Sequence, residues 1–523
     1  MPMHIFMLSD EILLAILEIL DYKAVLACQA TCRRLNTITY STSLQYKVEL
    51  AACGMLDGRH GSQTLDIPER LERLKEYNAA WRKLEWTADI QLPHICGNDS
   101  VTYGEPSLLF LVHNMDRPTS VFQEVPSKLR GVPEVHHRYP LEYGNYSTFV
   151  DISQDLVIYT DRSLTLCQHS LRALSTGEPH PLAWNQGILE RSVSELYFDQ
   201  RINDIFGDYV LALDRGRDTD LYIVQNWKTG FIELEKHANT RVTRTDVCRF
   251  LDDKHIIFSV TTITSLNLSD SEPTISFHVV PFRRSKEATS GSVADAVSYV
   301  FHFPVFPNRP VVSSNTSEFS CRTSPTSPAY FYSDPHNRIF SVSAILTPKR
   351  RRGTPEKYIV DIPSPSFTSY IQRHPTSQLA VVPWEDWGPQ GARVTRGDPS
   401  VIARSVCGMR GAYVSRHAEG LVLTVLDYHP LRVARALAHR QDGDGTVVLN
   451  GAHIETGLWP LSTTTLPCLV AETRLPDSLS EDLGPVFGFQ LCEDGIVLMK
   501  YDPATVDQDL AVPSITKVLA YTV

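Results

Sequence analysis

The sequence lacks the motifs that would identify an enzyme or a membrane protein. No segment reaches the ~20 consecutive apolar residues that a membrane-spanning helix needs. The 10 cysteines among 523 residues are too sparse for a disulfide scaffold, and no two have the C-x-x-C spacing of a zinc or redox site. The G-x-S-x-G elbow, the G-x-x-x-x-G-K-[ST] phosphate loop and the H-E-x-x-H metal helix are also missing. We therefore expect a protein without catalytic residues, metal, cofactor or membrane attachment.

The segments that come nearest to metal sites have simpler explanations. Asp442–Thr446 opens like a calcium loop, but His453 occupies the twelfth position, where such a loop requires a bidentate Glu. We interpret the segment as a hairpin turn before a strand at Thr446–Leu449. His136 and His137 have no further ligands at metal spacing, and a chain with 18 histidines contains such pairs by chance.

The charge balance is acidic, with 49 Lys and Arg against 60 Asp and Glu and a formal net charge of -11. A nucleic-acid-binding protein presents a basic surface, so we expect no nucleic-acid partner. A secretory signal is not expected either, because Asp10 and Glu11 stand where its basic segment belongs. These features favour a cytoplasmic or nuclear protein. The basic run Lys349–Arg352 is either a nuclear-import patch or, as we favour, a solvated hairpin tip.

The most informative segment present is an apolar run near the N-terminus. Between Ile12 and Leu20 only Glu18 is polar, so a helix here has almost no face that water would solvate. With about three turns, it is too short to span a bilayer. The helix must therefore bury one side in its own domain and the other in a partner.

Two further short helices are predicted after this run. A helix over Lys23–Thr39 has its apolar residues at helical spacing, namely Val25, Cys28, Cys32 and Leu35. The two cysteines on this stripe are interpreted as core residues rather than ligands. A third helix starts near Ser43, a suitable N-cap, and stops near Gly54. Three short helices make a very small core, and docking on a partner would add the missing stabilisation.

The order of residues in this segment resembles the F-box, the adaptor-binding module of SCF ubiquitin ligases. The residues that carry the resemblance are Leu8, Glu11, Ile12, Ile16, Leu17, Leu20, Asp21, Leu26, Cys32, Arg33, Arg34 and Leu35. One departure is Ser9, where many F-boxes have Pro, and it removes one apolar contact to the adaptor. The alternative is a helical cap over a larger domain. The resemblance implies an adaptor-binding set of Leu8, Ile12, Ile16, Leu17, Leu20, Leu26, Cys32 and Leu35.

A longer amphipathic helix is predicted over Ile67–Trp86. Pro68 occupies a first-turn position, and the apolar stripe runs along one face through Leu71, Leu74, Tyr77 or Asn78, Trp81 and Leu84. We interpret this helix as a rigid joint between the two halves of the chain. Trp81 and Trp86 are expected to anchor it against the next domain.

Beyond about residue 90 the hydrophobic pattern becomes strand-like and turn residues become frequent. Short aliphatic runs recur at Leu108–Val112, Asp155–Tyr159, Asp208–Leu213, Asp253–Val260, Asp295–Phe303, Asn337–Ile345, Gln378–Val382, Gly420–Leu426 and Asp494–Tyr501. Several starts are separated by roughly 40 to 55 residues, which is in the range of propeller blades. Leu221–Gln225 and Phe231–Leu234 indicate an outer hairpin of one blade.

This pattern predicts a closed all-β array, because radial repetition protects strand edges that a large open sheet would leave exposed. We expect a β-propeller of seven or eight blades. It resembles WD-type propellers in architecture, although their Gly-His and Trp-Asp dipeptides are mostly missing. Two stacked β-domains are the alternative. The Ser-, Thr- and Pro-rich segment Ser313–Pro328 is expected to form an exposed loop between blades.

Together these features predict an α+β multidomain protein. Its parts are a three-helix F-box at residues 1–56, a linker helix region at 57–89 and the propeller at 90–523. An F-box followed by such a domain resembles fungal F-box proteins, and the implied function is a non-catalytic substrate receptor. Its expected partners are a Skp-type adaptor, a cullin and an unknown protein substrate for ubiquitination. The alternatives are a scaffold acting outside a ligase and a propeller enzyme with an acidic channel site.

Overall fold

A computed structural model of the protein has helices at the N-terminus and sheets in the remainder. It describes residues 7–58, 65–86, 88–91, 99–104, 109–114, 119–124, 126–140, 147–162, 166–192, 197–216, 219–239, 243–262, 274–283, 299–303, 311–314, 318–319, 329–346, 356–376, 378–438, 447–449, 464–476, 487–501 and 515–522. Across these residues, none of the helices is both long and apolar enough to cross a membrane. Lys349–Arg352, Asp442–Thr446 and His453 lie outside the described residues.

The described N-terminal segment contains four helices where three were expected: α1 (Asp10–Ile19), α2 (Tyr22–Gln29), α3 (Arg33–Thr39) and α4 (Thr42–Cys53). The single helix predicted over Lys23–Thr39 is therefore wrong. The Thr31 hydroxyl donates to the Cys28 carbonyl oxygen at 2.8 Å, and such local bonds compete with helix continuation. Cys32 then adopts an extended conformation and forms the N-cap of α3.

The end of α4 follows the sequence prediction more closely than its start. The helix begins at Thr42 with Ser41 as N-cap, rather than at Ser43. Gly54 ends it in the left-handed conformation, with φ of 66°, which glycine adopts without steric cost. The chain continues into β1 (Met55–Asp57) and then α5 (Ile67–Lys83).

The helix α5 confirms the predicted amphipathic helix, although it ends before Trp86. Its N-cap Asp66 accepts a hydrogen bond from the Glu69 amide at 3.0 Å, and Pro68 lies in the first turn. Leu84 ends it in the left-handed conformation. The buried face of α5 consists of Leu71, Leu74, Tyr77, Asn78, Ala80 and Trp81.

The strands of the described residues form seven sheets of four or five strands, besides one two-stranded pair. Sheet 7 contains the first strand of this region, β2 (Ala88–Gln91). Sheet 1 contains β3 (Asp99–Gly104), β4 (Leu109–Asn114), β5 (Thr119–Glu124) and β6 (Val135–Pro140). Sheet 2 contains β7 (Ser147–Asp151), β8 (Leu156–Arg162), β9 (Leu166–Ala173) and β10 (Ile188–Ser192). Sheet 3 contains β11 (Tyr197–Phe206), β12 (Tyr209–Gly216), β13 (Thr219–Asn226) and β14 (Ile232–Asn239).

The later sheets include strands contributed from more distant parts of the chain. Sheet 4 contains β15 (Thr243–Phe250), β16 (His255–Thr262), β17 (Thr274–Pro281), β18 (Tyr299–His302) and β24 (Ala380–Val382). Sheet 5 contains β19 (Val311–Ser314), β20 (Glu318–Phe319), β22 (Ile339–Leu346), β23 (Glu356–Pro363) and β25 (Arg393–Arg396), whereas β21 (Phe331–Ser333) pairs with β1. Sheet 6 contains β26 (Val401–Cys407), β27 (Arg410–His417), β28 (Gly420–Asp427), β29 (Val447–Leu449) and β30 (Cys468–Arg474). Sheet 7 is completed by β31 (Phe487–Leu491), β32 (Gly495–Tyr501) and β33 (Ile515–Thr522).

These sheets form a ring in chain order. Strands of successive sheets contact one another, as β3 does with β7, β7 with β11, β11 with β15, and β26 with β31. The ring closes where β2 pairs antiparallel with β33, placing Ala88 opposite Thr522. This closure joins strands from the two ends of the β region and confirms the expected β-propeller.

Each aliphatic run identified in the sequence overlaps a strand. Several of these strands, including β8, β12 and β16, are the second in their sheet. Such a strand has neighbours on both sides, and in these blades both of its faces are covered by adjacent sheets, which is why side chains from Leu156 to Thr160 are all buried. Burial of both faces explains continuous aliphatic runs instead of alternation.

Sheets 4 and 5 are joined by an aromatic core that two inserted helices complete. These helices are α6 (Ser364–Arg373) and α7 (Trp384–Gly391), on either side of β24. Phe367 of α6 lies 5.0 Å from Phe301 of sheet 4, between ring centroids, and 5.9 Å from Phe340 of sheet 5. Trp387 of α7 contacts the same cluster.

The segment Ser313–Pro328 is not a loop throughout, which corrects the sequence prediction. Its first residues belong to β19, and Glu318 and Phe319 form β20; both strands pair with β22. Backbone hydrogen bonds of a sheet do not depend on side-chain polarity, so a Ser- and Thr-rich stretch can complete it. The other residues of the segment lie outside the described residues.

The helices α4 and α5 share one hydrophobic core with sheets 6 and 7. This core contains Leu50 of α4, Trp81 of α5, Val414 of sheet 6 and Leu498 of sheet 7. Trp86 packs against the same core, with its ring 6.4 Å from that of Tyr521. The structure therefore confirms the prediction that Trp81 and Trp86 anchor this segment against the next domain.

Buried charges surround this shared core. The Arg130 guanidinium forms ion pairs with Glu493 at 2.9 Å and Asp494 at 2.6 Å, and all three side chains are buried. Burial raises the pKa of the Glu493 carboxyl, an effect that the Arg130 charge opposes. Burial would likewise raise the pKa of Asp427, but Arg432 and Arg410 hold that pKa below its ordinary value.

Replacing Trp81 by Ala tests the shared core. Trp81 is buried, and the Arg410 guanidinium lies 4.3 Å from its ring centroid. We expect a loss of ~3 to 5 kcal/mol in the free energy of unfolding, the usual cost of truncating a buried aromatic side chain. Denaturant unfolding measures it. The control Leu379→Ala, at a residue 64% exposed, should change it by less than about 0.5 kcal/mol; equal losses would place Trp81 outside the core.

The buried His429 predicts a pH dependence of stability. Burial, with a further contribution from the charge of Arg432, lowers the pKa of His429 from 6.5 to about 3. Below pH 6.5 the unfolded chain therefore binds a proton that the folded chain does not, so stability falls as the pH decreases towards 3. This histidine should contribute a loss of about 2 kcal/mol between pH 8 and pH 5.

The variant His429→Asn should lack this contribution, so its free energy of unfolding should depend less steeply on pH than that of wild type. Denaturant titrations at pH 5, 6, 7 and 8 measure both slopes. His237→Asn is the control, because the His237 side chain is 57% exposed, and it should retain the wild-type slope. Parallel curves for wild type and His429→Asn would contradict the prediction.

Candidate adaptor-binding surface

The helix α1 has two apolar faces, and only one of them is buried in its own domain. Leu13 and Leu17 are buried in the small core that these helices form with Val25, Ile38 and Leu44. Ile12 is 49% exposed and Ile19 is 83% exposed. Ile12, Ile16 and Ile19 follow an i, i+4, i+7 spacing and so share one side of the helix. We call these three residues the outward stripe.

Hydrogen bonds from neighbouring helices hold both ends of α1. At its start, Arg34 of α3 pairs with Asp10 at 2.8 Å and donates to the Leu8 carbonyl oxygen at 2.6 Å. At its end, the Lys47 ammonium of α4 donates to the carbonyl oxygens of Glu18 and Leu20. A cation at a helix C-terminus satisfies free carbonyls and interacts favourably with the helix dipole. The outward stripe is therefore presented on a fixed helix.

The helix α2 adds a further exposed apolar residue. Its N-cap Asp21 accepts a hydrogen bond from the Ala24 amide at 2.8 Å, which fixes where the helix starts. Val25 then points into the core, and the next residue, Leu26, is exposed. The carboxylates Glu11 and Glu18 follow an i, i+7 spacing on the side of α1 next to the outward stripe and are exposed as well. The surface is thus apolar with an acidic border.

Leu17 requires a correction to the adaptor-binding set. It is buried in the core of its own domain, so it supports α1 and does not present a side chain to a partner. The reason is helical geometry, because Leu13 and Leu17 share a face that lies about a third of a turn around the helix from the outward stripe. Leu8, Leu20 and Leu35 are half-buried and pack against that core.

The remaining predicted residues have different exposures. Ile12 and Leu26 are exposed, whereas Ile16 and Cys32 are half-buried. Ile19 was missed by the sequence analysis although it is the most exposed residue of the outward stripe. Its i+7 spacing from Ile12 was a signal in the sequence that could have identified it.

The exposed side chains of the outward stripe are apolar. Within the described ranges, no group of three or more His, Cys, Asp and Glu side chains is arranged to hold a metal ion. Cys28 packs against the small core and Cys32 caps α3, which agrees with their interpretation as structural residues.

One comparison with known proteins finds a family for this segment. The family model described as F-box-like matches residues 10–50. A search of curated proteins found no match. Among solved structures, Kluyveromyces lactis Hsv2 is similar at a TM-score of 0.34 and 10% identity, over 77% of this chain and 94% of that one. The uncharacterized protein lmo1340 from Listeria monocytogenes EGD-e is similar at a TM-score of 0.27 and 9% identity, over 64% of this chain and 92% of that one.

The two sides of α1 should respond differently to truncation. Leu17→Ala should destabilise the helical segment by ~2 to 5 kcal/mol, because it leaves a cavity in a small core. Ile19→Ala removes an exposed side chain and should change stability by less than about 0.5 kcal/mol. Hydrogen exchange of residues 10–50 in the full chain measures both variants. Similar exchange rates in the two variants would contradict this division of α1 into a buried and an exposed side.

Proposed function

We propose that this chain, which carries an N-terminal F-box-like domain followed by a β-propeller, is a non-catalytic substrate receptor of an SCF ubiquitin ligase. The outward stripe is the observation that carries the proposal. Ile12, Ile16 and Ile19 form an apolar side of a fixed helix, in the segment that matches the F-box-like family. A Skp-type adaptor would cover this side, and the cullin would bind through the adaptor.

The connection between the two halves supports a receptor role. The helix α8 (Pro430–Ala438) extends from sheet 6 and lies against α4. There, Arg435 donates to both carboxylate oxygens of Glu49, at 2.8 Å and 2.9 Å, and Arg432 donates to the Cys53 carbonyl oxygen. A receptor of this kind acts by position, because it raises the effective concentration of a substrate lysine near the charged ubiquitin carrier. A fixed connection between the two binding surfaces serves that purpose.

We assign the functional parts as residues 1–56 for adaptor binding, 57–89 for the connection and 90–523 for substrate capture. Each of the seven sheets would be one blade of the propeller. The ring includes β2, which starts at Ala88, so the connection and the propeller overlap by two residues in that assignment. An SCF receptor would act in the cytoplasm, the nucleus or both.

Replacing Ile19 by Asp tests adaptor binding. A charge on the outward stripe would be desolvated without a partner at the interface, so recovery of a Skp-type adaptor with the tagged full chain should fall at least tenfold. Leu379→Asp, at the exposed residue just before the edge strand β24, is the matched control and should retain wild-type recovery. Thermal melting of all three proteins should coincide, because both substituted residues are exposed.

The same pull-down distinguishes the ligase from other roles. Recovery of a cullin together with the adaptor supports the ligase assignment. An adaptor recovered without a cullin would instead indicate a scaffold acting outside a ligase. Equal recovery of adaptor with wild type and Ile19→Asp, or none with wild type, would remove the proposed function.

A further inference from the structure

An exposed apolar cluster lies on the outer rim of the propeller between sheets 2 and 3. Its members are exposed by a third to over a half of their surface: Leu182 by 59%, Trp184 by 46%, Phe231 by 53% and Ile232 by 36%. The first two precede the outermost strand of sheet 2, Phe231 immediately precedes the outermost strand of sheet 3, and Ile232 starts that strand. We call these four residues the rim patch.

Contacts across the two sheets bring the patch together. The Trp184 amide donates to the Trp227 carbonyl oxygen at 3.0 Å. The Trp184 ring covers Gly230 so closely that a Cβ at position 230 would lie 2.5 Å from it. Phe231 follows immediately, so the aromatic residues of the two sheets are neighbours.

The backbone after Trp184 is held in an unfavourable conformation. Asn185 and Gln186 have φ angles of 50° and 55°, and Gly187 follows with 82°. A Cβ at Gly187 would lie 2.4 Å from the Leu171 carbonyl oxygen, so this position requires glycine. Two consecutive left-handed residues that are not glycine persist only where the surroundings impose them, and such strain is concentrated at binding sites.

The support beneath this turn is rigid. The His180 amide donates to the Leu171 carbonyl oxygen at 3.0 Å, and the His180 ring lies edge-on to the buried Trp227 ring at 4.9 Å. Trp184 and Leu182 are therefore presented in one arrangement. A preorganised apolar surface loses little conformational entropy when a partner binds.

The charges beside the patch are mostly acidic. The cation Lys228 is paired with Asp208 at 2.6 Å, and Arg172 donates to the Gly177 carbonyl oxygen at 2.9 Å. Three described carboxylates border the patch in the sequence and lie at least partly in solvent, namely Glu178, Glu190 and Glu233. A partner that complements this border carries positive charge.

We propose that the rim patch binds a protein segment that presents an aromatic or long aliphatic side chain flanked by Lys or Arg. Tryptophan and other aromatic residues on a rigid surface are typical anchors of protein interfaces. The acidic border selects for the basic flanks and accelerates the encounter. This interaction uses sheets 2 and 3 and does not depend on the adaptor-binding surface of α1.

A selection from a phage-displayed library of random 12-residue peptides tests the proposal on the full-length chain. Counter-selection uses the double variant Trp184→Ala with Phe231→Ala, whose melting temperature should stay close to wild type because both residues are exposed. Enriched peptides should combine an aromatic or long aliphatic residue with flanking Lys or Arg. The best of them, synthesised with a fluorescent label, should bind the double variant at least tenfold more weakly in fluorescence anisotropy.

A matched control tests the contribution of the aromatic residues, and a salt series tests the contribution of the acidic border. The double variant Leu379→Ala with Val381→Ala removes two residues that are similarly exposed, at 64% and 59%, and should leave peptide affinity unchanged. Glu178→Gln with Glu233→Gln should weaken binding at low salt, and the difference should shrink as salt screens the charges. No enriched peptide, equal affinity for wild type and the aromatic double variant, or enrichment of acidic peptides would overturn the proposal.

Discussion

The packing of α4 and α5 on sheets 6 and 7 is the interaction on which the rest of the structure depends. The F-box-like segment buries only five apolar residues in a core of its own, too few to offset the loss of chain entropy. The shared core supplies the missing burial. Tyr77 of α5 shows the connection directly, because its hydroxyl donates to the carbonyl oxygen of Glu493, between β31 and β32 of sheet 7.

The ion pairs around this core add orientation more than stability. Taking charges out of water costs more than their attraction returns unless each charge is fully paired. Asp427 meets Arg432 and Arg410, while Arg432 also donates to the Cys53 carbonyl oxygen at the end of α4. A small rotation of α4 would break the hydrogen bond from Arg432 to the Cys53 carbonyl oxygen and the ion pair between Arg435 and Glu49. The apolar core thus joins the two halves, and the charges select one relative arrangement.

The two proposed binding surfaces follow the same physical rule on different elements. In each, apolar side chains are exposed on a backbone segment that contacts with neighbouring residues hold in one conformation. Lys47 and Arg34 fix α1 beneath the outward stripe, whereas the left-handed turn at Asn185 and Gln186 fixes the support of the rim patch. Exposed apolar groups on rigid elements favour association, because burial is gained with little additional ordering.

The sequence by itself determined the kind of domain at each end of the chain. The apolar run from Ile12 to Leu20 required a partner, the stripe of α5 predicted its buried face, and the recurring aliphatic runs predicted the strands of a closed β array. These features are local, and hydrophobic periodicity reports local burial. Tertiary structure decided which side of α1 faces outward and placed Leu17 inside. It also joined β2 to β33, seated Trp81 on sheets 6 and 7, and brought Trp184 beside Phe231, because these contacts join residues far apart in the chain, which no local pattern encodes.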